Sequence, residues 1–89
     1  MLGLHEYRVE TWAFTFAAYG RLENVGGVHL LRLRVTTDQA FCIERDIAAE
    51  KAVTIFATSA GELVLAARIR KVKARPDGPR VDLACLLLE

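Results

Sequence analysis

Apolar and polar residues alternate most regularly in the C-terminal part of the chain. VTIFAT, ELVLAARIRKVK and VDLACLLL read as three consecutive β-strands, joined by turns at Ser59-Ala60-Gly61 and Arg75-Pro76-Asp77-Gly78-Pro79. In the middle segment Leu63, Leu65, Ala67 and Ile69 share one face, and Val64, Ala66, Arg68 and Arg70 share the other. A period of two marks a strand with one side on a core. The last segment, LACLLL, is apolar at both parities, so it reads as a strand covered on both faces. Leu86 and Leu88, or else Leu83 and Leu87, then need a second cover: a helix, another sheet layer or another subunit.

The N-terminal half is less regular. After a loose end at residues 1–4, the segment from His5 to Tyr19 is rich in β-branched and aromatic residues, with Tyr7 and Val9 on one parity and Trp12, Phe14 and Phe16 on the other. The change of parity predicts one long strand bent by a β-bulge near Glu10-Thr11. The rival is a helix over 12–19 ending at Gly20, because Trp12, Phe16 and Tyr19 are also helically spaced. Residues 20–27 supply Gly and Asn for a loop. VHLLRLRVT follows as a strand in which His29, Leu31, Leu33 and Val35 share one face and Leu30, Arg32 and Arg34 lie on the other. Residues 5–36 thus read as a long hairpin. Thr36 and Gln39 match a capping box that would open a helix to about Lys51. Yet Phe41 lies roughly 200° around such a helix from Ile43, and 40–46 also alternates as a strand. The balance tips to a short strand over 40–46 followed by a turn, with a short helix within 37–51 as the alternative.

The fold class is therefore mainly β: a small antiparallel barrel or roll of about five or six strands. Closure into a barrel protects edges that otherwise invite aggregation. The 89 residues make a single domain, 1–89. A chain of this size buries roughly 60–65% of its unfolded surface. Its 53% hydrophobic content exceeds the common range of about 45–50% for globular domains. Part of that apolar excess is expected to face a partner, and a homo-oligomer is favoured over a monomer. Leu83, Leu86, Leu87 and Leu88 are the interface candidates, with Trp12, Phe14 and Phe16 packing in the core or beside it.

Net charge is only +1, but its distribution is uneven: residues 1–67 carry six basic and eight acidic side chains, residues 68–89 six basic and three acidic. Arg68, Arg70, Lys71, Lys73, Arg75 and Arg80 gather half the cations on one hairpin. Such a patch suits the phosphates of nucleic acid or a nucleotide. Arg32 and Arg34 join it if the strand order allows. No aromatic follows Phe56 to stack a base, which weakens the nucleic-acid version. The simpler reading is a solvated hairpin whose cations keep a sheet edge soluble.

Catalytic chemistry finds little footing. Ser59, the only serine, sits in a turn signal without a G-x-S-x-G elbow. Cys42 and Cys85 lie in apolar runs without CxxC spacing, which predicts free thiols in a reducing compartment. In one long hairpin His5 and His29 would stand roughly 40 Å apart and could not share an ion. Gly26-Gly27 precedes a strand rather than a helix, so it makes no phosphate loop. The carboxylate pairs Glu6/Glu10 and Glu44/Asp46 read as solvated charges. No cofactor is implied. The start MLGLHEYRVE lacks a secretion signal, and no apolar run approaches the ~20 residues that span a bilayer. A cytoplasmic protein is the expectation.

The spacing of the last three strands, with a basic strand and a closing apolar one, resembles the C-terminal half of the PilZ barrel. That family binds cyclic di-GMP through an R-x-x-x-R segment and a D/N-x-S-x-x-G segment. Neither occurs here, so the resemblance carries over no binding residue. The sequence points instead to a non-enzymatic module for oligomerisation or protein interaction through apolar strand surface. Anion, nucleotide or nucleic-acid binding through residues 68–80 is the alternative.

Overall fold

A computed structural model describes residues 4–88. Six antiparallel strands close into one barrel in the order β1-β2-β3-β6-β5-β4. The strands are β1 (His5–Glu10), β2 (Thr15–Val25), β3 (Val28–Thr36), β4 (Thr54–Ser59), β5 (Glu62–Asp77) and β6 (Arg80–Leu88). One helix, α1 (Thr37–Ala48), connects β3 to β4. The mainly β class and the small closed barrel agree with the reading of the sequence. Of the expected loose end at 1–4, only Leu4 lies among the described residues, where it is exposed.

The interior follows the period of two. Val9, Leu31, Leu33, Val35, Ile55 and Leu83 are almost fully buried, and side chains rather than a cavity fill the barrel. In β5 the inward set changes parity. Ala67 and Ile69 are buried, but beyond a bulge at Arg70 the half-buried positions become Val72 and Ala74. The bulge lets one 16-residue strand bend around the barrel wall.

Tight turns set the register. Gly26 and Gly27 (φ +60° and +83°) join β2 to β3, and Ala60 and Gly61 (φ +53° and +81°) join β4 to β5. Two successive residues with positive φ give the turn whose twist matches paired strands. The expected loop over 20–27 is thus corrected. Leu22 packs on the core, and β2 stays paired with β3 out to Val25. Likewise β5 and β6 pair through Asp77 and Arg80, leaving only Gly78-Pro79 as their turn.

The expected bent strand over 5–19 is two strands. The chain folds back at 11–14, and β1 pairs with β2 from Glu10↔Thr15 to His5↔Gly20. Thr11 closes the reversal: its N–H and hydroxyl donate to the Phe14 carbonyl at 2.8 and 2.9 Å, and its Oγ1 accepts the Phe14 N–H at 3.0 Å. This fold-back removes the basis of the ~40 Å separation inferred for His5 and His29. It also places Trp12 and Phe14 at the surface, 72% and 58% exposed, while Phe16 packs against the core.

Residues 37–48 are helical, not the short strand favoured above. Thr36 accepts the Gln39 N–H at 3.1 Å, and the Gln39 side chain accepts the Thr36 N–H at 3.0 Å. This reciprocal cap satisfies two amides that a helix start otherwise leaves orphaned. The helix packs on β3, β5 and β6 through Ala40 and Ile43, and Phe41 points outward, 63% exposed. Asp46 is buried on the same side as Ile43. It accepts the Trp12 N–H at 2.8 Å and the Arg45 Nε–H at 3.3 Å, tying the 11–14 reversal to the helix.

Candidate functional site

Closure in this strand order brings β2, β3, β6 and β5 side by side, and their outward residues fall into rows across the barrel wall. One row runs Tyr19–Arg34–Asp82–Arg75, and the next runs Arg21–Arg32–Ala84–Lys73. A third runs Glu23–Leu30–Leu86–Lys71. Beyond it Val25 pairs with Val28, and Leu88 with Arg68. Rows lie about 6.6–6.8 Å apart along the strands, and neighbouring strands about 4.8 Å apart.

The first two rows border an open concavity of about 640 Å³ lined by Arg21, Arg32, Arg34, Lys73 and Arg75 together with Tyr19. Ala84 keeps its middle low, between the long side chains of Arg32 and Lys73. Asp82 is the lining carboxylate. Arg32 Nε pairs with Glu23 at 2.5 Å, and Arg34 reaches Asp77 at 3.3 Å and Asp82 at 3.2 Å. Arg21, Lys73 and Arg75 form no ion pair with a carboxylate among the described residues.

Gly20 forms part of this wall for reasons of space. Its φ is not positive, but a Cβ added there would stand 2.6 Å from the Arg32 carbonyl oxygen and 2.8 Å from Leu33 Cδ2. Because one of those atoms is backbone, relief requires β2 and β3 to shift. Gly20→Ala is expected to cost about 1–3 kcal/mol. Urea unfolding checks this, and an unchanged midpoint contradicts the close approach.

The sequence-predicted interface candidates divide by parity. Leu83 and Leu87 point into the barrel and are covered by its own core. Leu86 is half-buried and Leu88 is 52% exposed, both on the outer face. With Leu30, Val28 and Val25 they form an apolar strip along the β2–β3 hairpin and β6, which the sequence pattern of β6 alone did not reveal.

The basic candidates divide as well. Lys73 and Arg75 line the concavity, and β2 and β3 add Arg21, Arg32 and Arg34. Arg68 and Arg70 border a different depression beside Glu50, Lys51 and Leu88 at the end of the helix. Lys71 flanks Leu86, and Arg80 sits at the β5–β6 turn across from Asp77. Residues 68–80 therefore do not make one site. Tyr19, more than half exposed, supplies the aromatic that the sequence after Phe56 lacks.

Among the described residues no group of three or more His, Cys, Asp or Glu side chains is placed to hold a metal ion, and no helix is long and apolar enough to cross a membrane. Cys42 is partly buried and Cys85 buried, both free thiols. Comparison with known protein families, with curated proteins and with solved structures finds no match.

Proposed function

We propose that this barrel is a non-catalytic interaction module that pairs with a second copy of itself through the strip Val25, Val28, Leu30, Leu86 and Leu88. The observation that carries the reading is this strip's position on a closed sheet. All six strands belong to one closed sheet and the strip lies on its outer face, so its exposed apolar side chains meet another surface face to face. The strip's borders differ in charge, with Glu23 on the β2 side and Lys71 on the β5 side. Two copies stacked strip on strip about a two-fold axis parallel to the strands set each Glu23 opposite the partner's Lys71. A self-complementary patch of this kind is what a symmetric dimer requires.

Mass in solution tests the reading. Light scattering is expected to give twice the mass of one chain, a value that persists or grows in sodium sulfate because such salts strengthen apolar burial. Leu86→Lys with Leu88→Lys should return it to one chain while the circular-dichroism spectrum stays that of a folded β protein. A wild-type mass of one chain at the highest soluble concentration, or a dimer unmoved by the double substitution, overturns the proposal.

A further inference from the structure

The basic concavity lies along the same strands as the apolar strip but uses different residues. We propose that it binds single-stranded nucleic acid without sequence preference, holding phosphates on Arg21, Lys73 and Arg75 and stacking a base on Tyr19.

Charge comes first. Five cations line the concavity against one carboxylate, Asp82. Arg32 and Arg34 are already engaged by Glu23, Asp77 and Asp82, which hold their side chains over the wall. Arg21, Lys73 and Arg75 keep their donors for an outside anion, and a guanidinium fork matches a phosphate in two bonds.

Shape then selects among polyanions. The two rows stand about 6.6–6.8 Å apart, within the reach of neighbouring phosphates on an extended strand. The concavity is open along its length, so it suits a backbone laid across four strands better than one small ligand enclosed on all sides. Among the described residues no helix or two-stranded ribbon projects from this wall, and those are the elements that enter the major groove of a duplex. An unpaired strand has free base faces, and the exposed ring of Tyr19 lies at the rim to receive one. With Arg21, Lys73 and Arg75 on phosphates and Tyr19 on a base face, the contacts are ones that every nucleotide offers, so recognition is of backbone and not of sequence.

Fluorescence anisotropy of labelled twelve-nucleotide oligothymidine and oligouridine tests the proposal, with a twelve-base-pair duplex as competitor. Both single strands are expected to bind at 50 mM salt. Neutralising three phosphates gives a slope of log affinity against log salt of about −2. Arg21→Glu with Lys73→Glu should weaken binding by at least tenfold, and Tyr19→Ala by about tenfold. Arg68→Glu with Arg70→Glu, the same charge change outside the concavity, should alter it less than threefold. Melting temperatures of all variants establish that they are folded. The proposal is overturned by absence of binding at 50 mM salt or by tighter binding of the duplex. It is equally overturned if the Arg68/Arg70 pair loses as much affinity as the Arg21/Lys73 pair. Association through the apolar strip is read separately by mass, so either proposal can fail without the other.

Discussion

Leu87→Asp is expected to lower the stability of the barrel by about 4–5 kcal/mol or more. Leu87 is 6% exposed, faces the barrel interior and pairs in register with Ile69, also 6% exposed. A carboxylate there sits among the apolar side chains of the core and loses its hydration. The penalty of unpaired buried charge, together with the lost apolar packing, is about 4–5 kcal/mol or more. At roughly 0.05–0.15 kcal/mol per residue, a domain of this length holds about 4–13 kcal/mol in total. The substitution therefore removes at least about a third of its stability, and all of it at the lower end of that range. Leu88→Asp, one position on and pointing outward, is the matched control and should keep a cooperative thermal transition. Circular dichroism distinguishes them. Equal melting temperatures for wild type and Leu87→Asp would refute the inward assignment of β6.

The same inside–outside rule explains which parts of the fold the sequence disclosed. β4, β5 and β6 are legible because they are runs of strand-forming apolar residues and their turns carry Gly61 and Gly78 at positive φ. The double-apolar character of β6 also has a physical reading, since one parity enters the core and the other builds the outer strip. The reversal at 11–14 was hidden because it contains neither Gly nor Pro and is closed by the Thr11 side chain instead. Gly20 misled in the opposite direction. It is present so that β2 can approach Arg32 and Leu33 closely, and the same residue type that marks a turn here sits inside a strand.

Residues 37–48 show local capping overriding an ambiguous pattern. The Thr36–Gln39 box was visible, but Phe41 spoiled the apolar face. Phe41 is a surface residue, and the buried stripe is Ala40, Ile43 and Asp46 with Ile47 partly covered. A buried aspartate could not enter a count of apolar positions, because its place depends on the distant Trp12 N–H. The concavity was half legible for a related reason. Lys73 and Arg75 stand out in sequence, whereas Arg21, Arg32, Arg34 and Tyr19 reach them only through the pairing of β3 with β6 between the two hairpins.

The buried thiol of Cys85 makes stability depend on alkaline pH. Burial among apolar side chains pushes its pKa from 9.0 up to about 12. The group is neutral when protonated, so the unfolded chain releases its proton near pH 9 while the folded chain holds it to about pH 12. Above pH 9 the unfolded state binds fewer protons, and unfolding becomes easier as pH rises. The contribution is intact below pH 9 and is lost through this window at up to about 1.4 kcal/mol per pH unit. Tyr7, also raised by burial, adds in the same direction above pH 10. Cys85→Val removes the thiol and leaves Tyr7 and the basic side chains in place. Urea unfolding at pH 8, 10 and 11 should show wild type losing about 2 kcal/mol more than the valine variant between the first and last points. Parallel losses would mean that the thiol ionises in the folded barrel as readily as in the open chain, which a side chain sealed between β3 and β5 should not do.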